Sequence, residues 1–449
     1  MKRESARYIV VGNVDAGKST LISVLENKVL DNGNGSARSL IIRLKHEKVT
    51  GQTSNHSHRY IIDSNNYITT LIDLCGHERY LKTTLFGVTG LFADYGLMII
   101  GANRGIVDMA LEHLRLLISN RMPFIIILTK MDIVPDAILA ALRKNIERMA
   151  NANKKNVVYL EADTKSELVT EITSKFQARN AETIPVIQIS NKTGLNIDFL
   201  RNFITNIRKP TLDVSTSNIL SQIPNITLPL IVYLDAAYSV NGVGTVLSGV
   251  VKYGEINLGD EVYLGPFHND YLPVTIKSMH NCIRESITTL RDHEAGTFGI
   301  RVGKNMYTRK SFSKGQILSN DLAFVKAHTC YTFDCDLIVF SHPTTITNGY
   351  QTVIHCGTSR QTARFIMAPD AVLRINCRST VTVKFMWYAE FILPGMRFMF
   401  RDGKTKGMGL IKSTRDITED LPGYLTRREI EKAKLRVRIH EISNQVIAN

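Results

Sequence analysis

Short, mostly apolar segments recur along the first half of the chain, at 9–11, 68–72, 96–100, 124–128, 157–160 and 186–189. Between them lie stretches such as 136–149 and 195–207, where apolar residues fall three and four positions apart. Continuous apolar strands alternating with amphipathic helices predict an α/β domain over 1–208, a parallel sheet covered by helices. The polar stretch 209–225, with Pro210, Pro224 and a Ser/Thr/Asn cluster, reads as a linker. Beyond it the period changes. GVGTVLSGVVKYGEINLGDEVYLG is a series of short strands punctuated by glycine. It predicts one all-β barrel or sandwich over 226–320, and a second over 321–415. The basic tail 416–449 is ambiguous: LTRREIEKAK has helical spacing and KLRVRIH has strand alternation.

Charge adds one constraint. The 449 residues include 55 Lys and Arg against 41 Asp and Glu, a balance of +14. Such a chain suits polyanionic partners, nucleic acid above all, although an ordinary basic protein has the same composition. The first residues show no signal-peptide pattern, and no apolar run reaches the length of a membrane span. Six dispersed cysteines include no CxxC pair, so neither a disulfide framework nor a zinc knuckle is indicated. A cytoplasmic monomer with no membrane contact is the expectation.

The candidate chemistry lies at strand ends. Residues 12–20, GNVDAGKST, join the first apolar run to a helical segment. Gly12 and Gly17 let the backbone approach a phosphate chain, and the helix N-terminus favours anions. Lys18 is expected on the β and γ phosphates, and the Ser19 hydroxyl on Mg²⁺. After the run 68–72 comes DLCGH: Asp73 would hold Mg²⁺ through water, and Gly76 would offer its N–H to the γ-phosphate. After 124–128 comes TKMD. Asp132 can accept from both N1–H and N2–H₂ of guanine, a pair adenine lacks, while Lys130 can lie over the base. After 186–189, the loop Ser190, Asn191, Lys192 can offer an N–H to guanine O6. Each motif alone is weak. All four in order, at strand C-termini, point to a guanine nucleotide.

GNVDAGKST, DLCGHERYLKTTL and TKMD resemble the translational GTPases of the elongation factor Tu and one-alpha type. SVNGVGTVLSGVVKYGEINLGDEV, HPTTITNGYQTVIHCGTSRQTA and RFMFRDGKTKGMGLI resemble that superfamily's second and third domains. LDNGNGSAR, HEKVTGQTS and Thr129 in place of the usual Asn are similar to the GTP-binding protein one and two branch. The resemblance implies a P-loop GTPase domain followed by two β-barrels. It implies GTP and GDP with Mg²⁺ as ligands, and it implies hydrolysis. It assigns Asn13, Asp15, Ala16 and Thr20 to the phosphate loop and Thr129 to the base loop. Thr53 becomes a second Mg²⁺ ligand, and His77 the residue that orients the attacking water. Because no arginine in these motifs is an obvious finger supplied in cis, slow intrinsic hydrolysis with strong stimulation by a large partner is expected.

The implied partners are the ribosome and tRNA or another RNA. Delivery of aminoacyl-tRNA is the leading expectation, with Tyr238 and His280 near the positions that meet the acceptor end. Arg38, Arg43, Lys45, Lys48, Arg401, Lys404, Lys406, Lys412 and Arg415 could follow phosphates. Other readings stay open at this level: a rescue or termination factor with a protein cargo, a GTP-regulated adaptor of the RNA-decay machinery, or the GTPase subunit of sulfate activation.

Overall fold

The computed structural model describes residues 5–42, 53, 56–178, 182–209, 228–267, 270–303 and 309–415. The tail 416–449, the linker beyond Lys209, and Arg43, Lys45 and Lys48 lie outside the described residues. The chain divides into two compact units, residues 1–217 and 218–449.

The first unit is built on a seven-stranded sheet. Its strands are β1 Ser5–Gly12, β2 Ser57–Ile62, β3 Ile68–Asp73, β4 Tyr95–Gly101, β5 Phe124–Thr129, β6 Asn156–Leu160 and β7 Thr183–Gln188. Their spatial order is β2-β3-β1-β4-β5-β7-β6. Every pairing is parallel except the edge, where β2 runs antiparallel to β3. The parallel sheet expected from the sequence thus carries one antiparallel edge strand that the sequence pattern did not indicate. The segment SHRYII has only two fully buried residues and no continuous apolar run, so it lacks the pattern that betrays the inner strands. By contrast β3, β4 and β5 are buried at every position, because helices cover both faces.

Neighbouring residues on one strand feed opposite faces. Leu97 packs with Tyr8, Phe176 and Phe203 on one side, and Met98 packs with Ile9, Leu114 and Ile146 on the other. The helix expected over 136–149 runs Asp136–Ala152, and that over 195–207 runs Ile197–Asn206. The later start of the second follows from Asn196. It adopts a left-handed conformation (φ 53°) as N-cap, and its side-chain amide donates to the Gln188 carbonyl at 2.9 Å.

The second unit holds two closed six-stranded antiparallel barrels. The first comprises Ile231–Val240, Gly244–Tyr253, Glu261–Phe267, Asp270–Asn281, Ala295–Arg301 and Ile317–Ser319. The second comprises Thr332–Ser341, Gln351–Cys356, Ser359–Ile366, Arg378–Phe385, Arg397–Asp402 and Thr405–Thr414. Between them runs a short helix, Leu322–Ala327, where the sequence pattern indicated only strands. The Asp321 carboxylate caps it by accepting from the Phe324 N–H at 2.9 Å. The second barrel is filled by Phe333, Phe365, Phe398 and Phe400, with Phe365 and Phe400 meeting edge to face at 5.2 Å.

Among the described residues of this unit, one carboxylate is buried. Glu390 accepts from Ser359 Oγ and from Gln361 Nε2, both at 2.7 Å, and abuts Gly315. Burial outweighs these two hydrogen bonds and raises its pKa to about 7. No helix among the described residues is long and apolar enough to cross a membrane.

Candidate nucleotide-binding site

The loops after β1, β3, β4, β5 and β7 gather at the C-terminal edge of the sheet, where strand order reverses about β1. Open α/β sheets bind ligands at such an edge. Here the loops surround a cavity of about 540 Å³.

The phosphate loop forms as its glycines dictate. Gly12 (φ +149°) packs against the backbone carbonyl of Ile99, so a side chain there would collide with the sheet. Gly17 (φ +90°) turns the chain into the helix Lys18–Asn27, whose first residues line the cavity. Lys18 is buried, and its ammonium donates to the Asn13 carbonyl at 2.9 Å and lies against Gly76. Burial lowers its pKa, while the nearby carboxylates of Asp73 and Asp15 oppose the shift. A lysine held this way is desolvated and poised for an anion.

Three oxygens converge beside it. Ser19 Oγ donates to Asp73 Oδ2 at 2.6 Å and lies 3.1 Å from Thr53 Oγ1, which is 3.4 Å from the same carboxylate oxygen. Thr53 comes from a loop far along the chain, yet meets Ser19 directly. Two hydroxyls and a carboxylate at such separations are a hard-oxygen set that fits Mg²⁺. Among the described residues no group of three His, Cys, Asp or Glu side chains could hold another metal.

The base-side loops meet across β5 and β7. Ser190 is fully buried and donates to Asp132 Oδ1 at 2.6 Å, while its own oxygen accepts from Lys192 N and Thr193 N at 3.2 and 3.1 Å. Ser190 therefore fixes the acceptor carboxylate as well as the loop. Thr129 Oγ1 donates to the Ala16 carbonyl at 2.6 Å, bracing the phosphate loop from behind. The same residue's carbonyl accepts from Ala102 N at 3.0 Å.

Asp15, Gly17, Lys18, Ser19, Thr20, Thr53, Gly76, His77, Lys130, Asp132, Asn191 and Lys192 form the cavity wall. Asn13, Ala16, Asp73, Thr129 and Ser190 stand behind it through the contacts above. His77 is exposed, and its Nδ1 accepts from the Arg79 N–H at 3.1 Å. A neutral ring in that arrangement carries its proton on Nε2.

Several wall residues escaped the sequence reading. Asp31 accepts from the N–H groups of Gly33, Gly35 and Ala37 at 2.9–3.2 Å, and its own N–H donates to the Asn191 carbonyl at 2.9 Å. This curls LDNGNGSAR against the base-side loop and brings Arg38 to the cavity. The Asp-x-Gly-x-Gly spacing was the available signal. Arg104 also lines the cavity, 3.7 Å from Asp15. In the second unit, Tyr238 is 48% exposed on its barrel strand, and His280 is half-buried. Lys412 and Arg415, expected to follow phosphates, are paired with Asp336 and Asp334 at 3.4 and 2.8 Å.

Residues 3–228 match the family model described as the elongation factor Tu GTP binding domain. GTP-binding protein 1 of Xenopus laevis is 33% identical over 441 residues, covering 93% of this chain and 64% of that protein. The chain thus spans just under two thirds of that relative's length. Two solved structures have the same fold. The bacterial selenocysteine-specific elongation factor EF-Sec superimposes with a TM-score of 0.64 at 20% identity, covering 96% of this chain and 61% of that one. The S. cerevisiae Ski7 GTPase-like domain, bound to GDP and inorganic phosphate, gives 0.63 at 15% identity, covering 91% and 97%.

Proposed function

Since this chain belongs to the family of the elongation factor Tu GTP-binding domain, we propose that it is a translational GTPase that hydrolyses GTP to GDP and phosphate and delivers aminoacyl-tRNA to the cytoplasmic ribosome. The observation that carries the reading is the convergence of Lys18, the Ser19–Thr53–Asp73 oxygens and the Ser190-anchored Asp132 on one cavity. Residues 1–208 would act as the nucleotide module, and the barrels over 226–320 and 321–415 as the cargo-bearing part.

Phosphoryl transfer asks chiefly for positioning and charge neutralisation. Lys18 and the amides of residues 15–19 would bind the triphosphate. Mg²⁺, held by Ser19 and Thr53 with Asp73 fixing both hydroxyls, supplies charge neutralisation when bound. Asp132 selects guanine, because an adenine would leave this carboxylate unsatisfied. His77, with Nδ1 engaged by Arg79, orients the water by donating from Nε2 to its oxygen and does not remove its proton. Thr53 and Gly76 come from different loops, and both bear on the γ-phosphate end. Loss of that phosphate releases them together, which is the switch.

Filter binding of charged tRNA, uncharged tRNA and unrelated RNA to the GTP and GDP forms tests the cargo. Tight binding confined to charged tRNA with GTP is expected. Equal binding of all three RNAs, or none, overturns delivery. Ribosome-stimulated single-turnover hydrolysis by His77→Ala tests the chemistry: an unchanged rate removes His77 from its role.

A further inference from the structure

Resting on the GTPase reading above, we propose that Arg104 is an arginine supplied by the chain itself to the β–γ end of the bound triphosphate, with Asp15 as its resting partner. No motif announces it: Arg104 lies in the turn after β4, outside all four nucleotide motifs.

The turn is held rigidly against the phosphate loop. Arg104 N and Gly105 N both donate to the Gly101 carbonyl at 3.0 Å, and Gly105 takes φ +69° to close the turn. A Cβ on Gly101 would stand 3.7 Å from the Ala16 Cα, so the two loops pack backbone to backbone. Thr129 ties them to one strand, taking Ala102 N on its carbonyl and giving its hydroxyl to Ala16.

From this base the guanidinium reaches the cavity wall and meets Asp15 Oδ2 at 3.7 Å. Asp15 sits between Asn13, where the Lys18 ammonium is anchored, and the helix N-terminus. That ammonium marks the terminal phosphates, so the arginine stands at the end where charge develops on bond cleavage.

The pair itself contributes little to the fold. Both side chains are more than half exposed and the separation is long for a hydrogen-bonded ion pair. A weakly held guanidinium beside a cavity built for polyphosphate transfers readily to phosphate oxygens, where it forms bidentate charged hydrogen bonds. Arginines contributed in this way accelerate hydrolysis by neutralising transition-state charge. Arg38, the other arginine lining the cavity among the described residues, folds its guanidinium back over Gly35.

The test compares wild type, Arg104→Ala and Arg104→Lys without ribosomes. Single-turnover GTP hydrolysis, GTP and GDP affinity by fluorescent nucleotide titration, and capture of GDP with aluminium fluoride are measured for each. Arg104→Ala should hydrolyse GTP about tenfold or more slowly and lose aluminium fluoride capture, with GTP affinity within about threefold of wild type. Arg104→Lys, which keeps the charge and loses the fork, should fall between. A hydrolysis rate for Arg104→Ala within about twofold of wild type overturns the proposal while leaving the GTPase reading intact. A tenfold loss of affinity with unchanged bound-state hydrolysis also overturns it, since Arg104 would then be a ground-state contact. A wild type that neither binds nor hydrolyses GTP sinks both.

Discussion

Replacing Glu390 by Gln should remove one identifiable component of the pH dependence of stability. The carboxyl is buried, and its pKa rises from the ordinary 4.5 to about 7 because burial exceeds the help from Ser359 and Gln361. Gln361 Nε2 can only donate, so the proton of the neutral acid must lie on Oε2, facing a Ser359 hydroxyl that can turn to accept it. An amide at position 390 reproduces this state: its oxygen accepts from Gln361 and its NH₂ donates to Ser359. A raised carboxyl pKa means that the folded protein binds more protons than the unfolded chain between the two values. Stability therefore falls as pH rises from 4.5 towards 7. With a native value near 7, the loss amounts to about 3 kcal/mol at pH 7 relative to acid below pH 4. The assay is urea unfolding of the two-barrel transition at pH 5, 6, 7 and 8, for wild type and Glu390→Gln. Subtracting the two curves cancels all other titrating groups. The variant should be near wild type at pH 5 and more stable by a few kcal/mol at pH 8. A difference that is flat across this range refutes the reasoning.

Three other substitutions probe the first unit. Gly76→Ala places a methyl against the Lys18 ammonium and 2.7 Å from the Gly12 carbonyl, so GTP affinity measured by fluorescent nucleotide titration should drop by about tenfold or more, with GDP less affected. Asp132→Asn keeps a partner for Ser190 but cannot accept both guanine N–H groups; losing about 3 kcal/mol should weaken GTP roughly a hundredfold, and xanthosine triphosphate should bind better instead. His113 is buried on the helix Asp108–Ser119, and burial lowers its pKa to about 3. It must stay neutral in the fold, so acid below pH 6.5 destabilises the protein. His113→Leu should remove about 2 kcal/mol of the loss seen at pH 5 in urea unfolding.

The parts legible in the sequence were those written in local pattern. The inner strands β4 and β5 are nearly continuous apolar runs, and β3 is buried throughout although it carries Thr69 and Thr70, because both faces are covered. The glycines at 12 and 76 stand where backbone or an ammonium approaches too closely for a side chain, and Gly17 takes a left-handed turn (φ +90°). What stayed hidden depends on partners distant in the chain. Strand β2 has only two fully buried residues and runs against β3, so it offers neither a continuous apolar run nor a strict alternation. Arg104 gains meaning only from Asp15, 89 positions away, and nothing in its own neighbourhood marks it. Glu390 sits in the apolar run AEFIL, where a lone acid reads as a surface position until Gln361 closes on it. Thr129, which stands where the family usually has Asn, is tied to its role by the Ala16 carbonyl 113 positions away, which its hydroxyl meets at 2.6 Å.

Thr129 has a wider consequence. Through side chain and main chain it clamps two neighbouring loops, and the next residues on the cavity wall, Lys130 and Asp132, would meet the base in the proposed binding mode. In that mode purine and pyrophosphate would pull on a common peptide link. A guanosine lacking its phosphates, or a phosphate chain lacking its purine, would tension only one side of that yoke, and the grip on the intact molecule should exceed what its two fragments attain separately.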